Sequence, residues 1–362
     1  DKYSLIAEGI YEKKIGDSRI SAGIKHNQSY TKNGYEGNVA TNIGMNYAET
    51  YAYTEYQMRK GKFNYTLGLG SMRTYNSQGG KSNEKYIFRP RLRVSYNIND
   101  NAYIRYNGYI SGYSPSLSNL NNVEQAIDSL QIRRGNPNLR TVWFYSNTMN
   151  AGYNKGIFGA EFYLRYSYDH KPTMEQVTFE DGKFVRTQEN HRGFHRINSE
   201  ITFKLKPCKD LITLTVAPRF NRFISYGNEY THTYSNWGWR GAVEIMYRKW
   251  YFSASGNSRW NWFWGEDYQK GEKWHTISVG YNASKWSLGA SIFNPFSDKY
   301  DQGSENYSRY TPAKSYVYTD KINKMIVVNF SLNLNFGRKF NAGSKRLNNN
   351  DDDAGIMTGS KK

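Results

Sequence analysis

One cysteine, Cys208, stands in 362 residues, and a single thiol cannot build a disulfide framework or a cysteine-rich zinc site. Long apolar runs are missing as well. Nothing approaches the ~18 consecutive apolar residues of a membrane-crossing helix, which excludes helical insertion. Only 38% of the residues are hydrophobic and the mean hydropathy is −0.83, too little for a globular domain of this length to fill its interior. Catalytic signatures are absent too: there is no Gly-x-Ser-x-Gly, no phosphate-cradling glycine loop and no His-Glu-x-x-His. Ser82 and Lys85 have Ser-x-x-Lys spacing, but in a polar stretch without companion motifs. His191 and His195 are four apart, yet they read as part of a loop, and no third ligand lies nearby. These gaps argue against an enzyme, a metal site or a cofactor.

Acidic side chains are outnumbered, 31 against 49 basic ones, giving a net charge of +18. That excess raises nucleic acid as a partner, but the basic residues are scattered and no binding motif accompanies them. No nucleic-acid partner is therefore expected. A positive surface equally suits the phosphate-rich outer leaflet of a bacterial outer membrane.

What the chain has instead is alternation. Ile326, Val328, Phe330, Leu332, Leu334 and Phe336 fall on every second residue, with Asn329, Ser331, Asn333 and Asn335 between them. A period of two puts one strand face against something apolar and the other against something wet. The pattern returns at Phe158–Asp169, at Ile197–Leu205 and at Phe63–Gly70, in segments about as long as a tilted strand needs to cross a bilayer. Charges keep to the polar parity, so an Arg at Leu164 or Leu332 should be costly and one at Ser167 or Asn333 mild. The composition, 17% aromatic, fits interfacial girdles. The expected fold is all-β: an antiparallel transmembrane β-barrel.

Short turns near residues 14–17, 59–62, 99–101, 154–156, 206–210, 248–249 and 283–285 alternate with long polar stretches at 27–40, 76–84, 114–140, 171–191, 225–233, 263–272 and 294–321. Bacterial barrels keep short turns on the periplasmic side and long loops outside. About 15 strands fit between these breaks, an odd number where an even one is usual. The first strand then runs down from the outside, which is expected of the C-terminal part of a larger barrel. Residues 1–337 form that part, and the polar run within 338–362 should be a disordered periplasmic tail.

Ser114-Pro-Ser-Leu117, then Arg134-Gly-Asn-Pro-Asn-Leu-Arg140, resembles a segment that precedes a barrel strand in TonB-dependent outer-membrane receptors. The strand ending at Phe336 and the tail from Gly337 through Asp353 are similar to those of one outer-membrane β-barrel branch of that family. Arg140 and Thr141 depart from the family's Lys-Pro. The resemblance implies a barrel of about twenty-two strands, with its plug domain and TonB box upstream and absent here. It implies import of a scarce nutrient (glycan, siderophore or peptide), with outer-membrane lipid, the plug, the TonB system and a surface lipoprotein as partners. The alternative is a structural or adhesive outer-membrane barrel without transport.

Three groups of side chains stand out. Arg89, Arg91, Arg93 and Arg105, with Glu161 and Arg165, take the parity that would line a lumen, either paired with wall or plug carboxylates or attracting an anionic cargo. Pro90 implies a bulge or weakened pairing among them. Arg134, Gly135, Asn136, Pro137, Asn138 and Leu139 are the family-motif loop. Trp250, Trp260, Trp262 and Trp264 share one parity, and the ten residues from Trp250 to Trp260 span about 23 Å, which predicts two aromatic girdles on the lipid face; the alternative is a ligand loop.

Overall fold

The computed structural model describes residues 2–35, 41–78, 80–121, 123–208, 210–297, 300–319 and 323–334. Strands begin at once: β1 (Lys2–Ile15), β2 (Ser18–Tyr35), β3 (Thr41–Lys60), β4 (Phe63–Gln78), β5 (Lys81–Phe88), β6 (Arg91–Asn99) and β7 (Ala102–Tyr113). A helical turn, α1 (Leu117–Leu120), and the short β8 (Glu124–Ala126) and β9 (Gln131–Arg134) precede β10 (Val142–Lys155) and β11 (Phe158–His170). Next come β12 (Thr173–Glu180), β13 (Lys183–Asn190), β14 (Gly193–Leu205), β15 (Ile212–Tyr226), β16 (Thr231–Tyr247) and β17 (Trp250–Asn257). The remainder is β18 (Trp262–Trp264), β19 (Asp267–Lys270), β20 (Trp274–Asn282), β21 (Trp286–Phe293), β22 (Tyr300–Asn306), β23 (Ala313–Thr319) and β24 (Met325–Leu332). No helix among the described residues is long and apolar enough to cross a membrane.

One antiparallel wall takes up β1-β2-β3-β4-β6-β7-β10-β11-β14-β15-β16-β17-β20-β21-β24 in chain order, with β5 paired to β4 beside it. Its register puts like against like. Leu288 opposes Phe330, Ala290 opposes Val328, and Phe158 opposes Leu205 while Phe162 opposes Ile201. One apolar face therefore runs across the wall, exposed at Leu5, Ile24, Leu67, Ile104, Phe203, Val243, Phe252 and Leu288, and at Ile326 to 73%. A patch of this size is untenable in water and belongs in lipid.

The wall's two ends differ. At one end strands join through tight turns, where Gly16, Gly61 and Gly156 take φ of 56–58°, the left-handed region that costs glycine nothing. At the other, the stretches read as long loops fold into two further sheets, β12-β13-β9-β8 and β18-β19-β22-β23. The loop expectation is thus corrected in several places. Residues 76–84, Ser82 included, lie largely in the β4–β5 hairpin, as does Lys85. His195 is on β14, and residues 171–191 are mostly strand. These segments alternate poorly because burial there does not follow parity: β12 and β13 are largely covered, while β23 is exposed along nearly its whole length.

The buried core collects at this loop end. One cluster joins Ile43, Met45, Leu120, Val123 and Leu139; another joins Met174, Phe194, Phe223 and Phe263. Ser167 is fully buried there, so an Arg at that position overpacks the site; polar parity does not make it mild. Phe336 and the 338–362 tail lie outside the described residues.

Candidate ligand-binding face

The Arg134–Leu139 segment is a clamp. Gly135 is required: a Cβ would come within 2.1 Å of the Asn121 carbonyl oxygen. The Gly135 and Asn136 N–H groups donate to Val123 O (3.0 Å) and Asn119 O (2.7 Å), closing the turn around α1. Asn136 Oδ1 accepts from Asn138 N, an Asx turn, while its Nδ2 donates to Gln188 O on β13. Leu139 is buried in the first core cluster, and Arg134 bridges Glu124 and Glu180. Pro137, Asn138 and Arg140 form one lip of a cavity of about 590 Å³ that Asn46, Asn76 and Lys85 also line.

Arg91, Arg93 and Arg105 occupy the polar face of β6 and β7, with Arg89 in the link between β5 and β6. Each guanidinium has a neutral neighbour. Arg89 lies 4.4 Å over Tyr51, Arg91 5.6 Å over Tyr109 and Arg105 4.2 Å over Tyr103, while Arg93 donates to Asn107 Oδ1 at 3.1 Å. Glu12 and Glu55 share a cleft of about 250 Å³ with Arg89 and Arg91. The Pro90 break is visible as the pause between β5 and β6, bridged by Arg89 N to Gly70 O and Ile110 N to Pro90 O. Glu161 meets Lys204 at 3.9 Å on the half-exposed wall, a contact worth about 0–1 kcal/mol.

The tryptophans part company. Trp250 sits on the apolar face, 5.1 Å from Tyr281 and 6.1 Å from Phe252. After Asn257 the chain leaves the wall, so the shared parity with Trp260, Trp262 and Trp264 has no geometric meaning, and the ten-residue span is not a strand. These three turn to the polar side. Trp260 lies under Arg219, Trp262 contacts Phe223 and Arg196, and Trp264 packs on Phe194 at 4.5 Å. Asn261 fixes the segment: its N–H donates to Asn236 Oδ1, its Nδ2 to Tyr234 Oη, and its carbonyls accept from Asn221 Nδ2 and Gly271 N.

Sequence reasoning missed Arg196 and Arg219, which lie near Arg165 on the polar face of β14 and β15. Their polar-face parity could have found them. Arg165 stands 5.8 Å over Phe144, Arg196 4.5 Å over Trp262 and Arg219 4.4 Å over Trp260.

Above them the loop sheets hold Glu266, 3.7 Å from His232. Burial, with Asp267, Glu175 and Glu229 nearby, pushes its carboxyl up to about 7. Burial pushes the His191 ring down to about 4, and the neutral Nδ1 accepts from Asn228 N. His195 points elsewhere, stacked 4.4 Å from Tyr168. Among the described residues no three His, Cys, Asp or Glu converge as a metal site.

No curated protein matches the chain. Solved structures do, at low identity. The FrpB iron transporter from Neisseria meningitidis (F3-3 variant) superposes with a TM-score of 0.62 at 11% identity, over 91% of this chain and 55% of that one. The copper transporter OprC gives 0.63 at 8% identity, over 82% and 51%. A mutant ferric enterobactin receptor, PfeA from Pseudomonas aeruginosa, gives 0.58 at 11% identity, over 82% and 49%. The chain thus spans about half the length of these proteins, and the likeness is one of fold. The model of the outer membrane protein beta-barrel family matches residues 6–333, nearly the whole wall. With its register-matched apolar face and its loop end built over polar side chains, the chain belongs to that family of outer-membrane β-barrels.

Proposed function

We propose that this chain is the C-terminal barrel portion of a TonB-dependent outer-membrane receptor that binds a scarce nutrient at its loop end and imports it. In this reading residues 1–337 belong to a barrel of about twenty-two strands, and 338–362 are a periplasmic tail. Lipid covers the apolar face, and the polar face with Arg89, Arg91, Arg93, Arg105, Glu161 and Arg165 lines the lumen. The plug and TonB system act on it from the periplasmic side, and a surface lipoprotein joins it outside. The observation that carries the reading is the folded loop end: loop tryptophans are held by Asn261 against wall arginines on the polar face. A purely structural barrel has no need of such a surface. The structural neighbours, an iron transporter, a copper transporter and a ferric enterobactin receptor, support import. The reaction is transport without covalent chemistry, and the cargo is a glycan, siderophore or peptide.

Deleting the gene should abolish growth on one limiting nutrient, and deleting TonB should abolish it equally. Unchanged growth of the deletion strain on iron-, glycan- and peptide-limited media would favour the structural or adhesive alternative.

A further inference from the structure

Three arginines on the polar face, one each on β11, β14 and β15, are set apart by a buried nitrogen. Arg165, Arg196 and Arg219 each have a buried Nε without a hydrogen-bond partner. Among the described residues none of the three makes a hydrogen bond or an ion pair within 4 Å. The nearby carboxylates are already engaged. Asp169 accepts from Tyr113 Oη at 3.1 Å, and Glu200 accepts two hydrogen bonds from Arg240, at 2.6 and 3.1 Å. Glu161 faces Lys204, and Glu266 sits by His232. The local count is thus four guanidinium groups against Asp169 and Glu200.

Stacking explains what the arginines are held for. An aromatic ring under a guanidinium fixes its plane and leaves the edge N–H groups, the donors that grip oxyanions, pointing away from the ring. Phe144, Trp262 and Trp260 provide those rings. Ser167 Oγ and Ser146 Oγ lie buried and unpartnered on the same face. The register then sets the spacing. Arg196 opposes Ser167 on β11, two residues from Arg165, and opposes Phe223 on β15, four residues from Arg219. With strands ~4.8 Å apart and ~3.3 Å per residue, the three backbones mark a triangle with sides of roughly 8, 12 and 14 Å, Arg196 nearest the loop end and Arg165 and Arg219 below it on either side.

We infer that this arginine triangle is the cargo site for a polyanion, an acidic oligosaccharide whose ring-borne carboxylate or sulfate groups meet Arg165, Arg196 and Arg219. The inference deepens the uptake reading and rests on it. Its test is binding in detergent, which needs neither TonB nor transport.

The complete receptor, purified from outer membranes, should be titrated calorimetrically with tetragalacturonate, a chondroitin sulfate tetrasaccharide and neutral maltotetraose. At least one acidic probe should bind, and maltotetraose should not; which acid binds tells carboxylate from sulfate. Arg196→Gln and Arg219→Gln should each weaken binding about tenfold or more, the usual loss of a charged hydrogen bond. Arg196→Lys, which keeps the charge but not the stacked plane, should fall between. Heat-modifiable gel mobility checks that each variant is folded. Equal binding of maltotetraose, no binding of either acid, or unchanged affinity in folded Gln variants would overturn the inference. So would unchanged affinity with increased antibiotic leak, which assigns the arginines to plug carboxylates. Binding of an acidic probe without TonB-dependent growth would uphold the arginines as a binding site for that acid and remove the uptake reading, and with it the acid's role as cargo.

Discussion

The turn end and the loop end of the wall are built on opposite principles. At the turn end the strands meet through glycine-φ turns, with apolar side chains facing outward and little buried between layers. At the loop end Phe194, Phe223, Phe263, Met174 and Leu139 are buried as in a water-soluble domain. The first end takes its stability from a lipid solvent, the second from excluding water. Sensitivity to mutation should divide along the same line.

Phe263→Ala should cost the most, about 3–5 kcal/mol, and should loosen the loop sheets while the wall keeps its heat-modifiable mobility. Hydrogen exchange resolved by segment would show it; equal loss of protection in β1–β4 would dissolve the distinction between the ends. Leu164→Arg or Phe330→Arg should cost about 2–4 kcal/mol near the midplane, against little for Ser331→Arg on the opposite face of the same strand. Denaturant titration in lipid reads this, and equal costs at Phe330 and Ser331 would mean that the register is wrong. Gly135→Ala should cost about 1–3 kcal/mol through its clash with Asn121, raising proteolysis within 114–140 and nowhere on the wall.

A pH series sharpens the comparison further. Glu266 is raised in the folded state, so the folded loop end binds more protons than the unfolded chain between the ordinary carboxyl range and about 7. The Glu266 contribution to loop-end stability should therefore fall as pH rises through that window and level off above it, while the depressed His191 ring contributes with the opposite sign from about 4 up to the ordinary imidazole range. Glu266→Gln should remove the falling contribution and leave stability rising with pH; an unaltered profile would place the proton elsewhere. The smallest expected effect belongs to replacing Arg89, Arg91 and Arg93 together by Gln. If plug carboxylates neutralise that stripe, passive antibiotic leak should rise at normal stability, whereas normal leak with impaired uptake would reassign the stripe to cargo.

The wall was legible because each residue there sees one of two solvents. Period two at Phe158–Asp169 or Ile326–Leu332 maps onto the two faces of the wall, where apolar residues oppose apolar ones across the register. The loop end was not legible, because neighbours from distant segments decide burial there. Ser167 has the polar parity of a wet position yet is fully buried, and Trp262 has the parity of Trp250 yet turns to the other face. Parity survives only while a strand is unbroken, and residues 258–261 break it. The motif loop was found by resemblance, but its mechanics, the Gly135–Asn121 contact, emerge only in three dimensions.

Each loop sheet is stitched from two loops that are separate along the chain. The sheet β12-β13-β9-β8 joins the β7–β10 and β11–β14 connections, and β18-β19-β22-β23 joins the β17–β20 and β21–β24 connections. Recombination between relatives therefore cannot exchange a single loop without stranding half a sheet. The exchangeable units are cassettes, one from Ser114 to Arg192 and one from Ser258 to Lys324. They also meet, at Met174 against Phe263 and at Arg186 Nη2 on Thr311 Oγ1. New specificities on this scaffold should arise as paired, matched replacements, each carrying its own wall hairpin, β10–β11 in the first cassette and β20–β21 in the second.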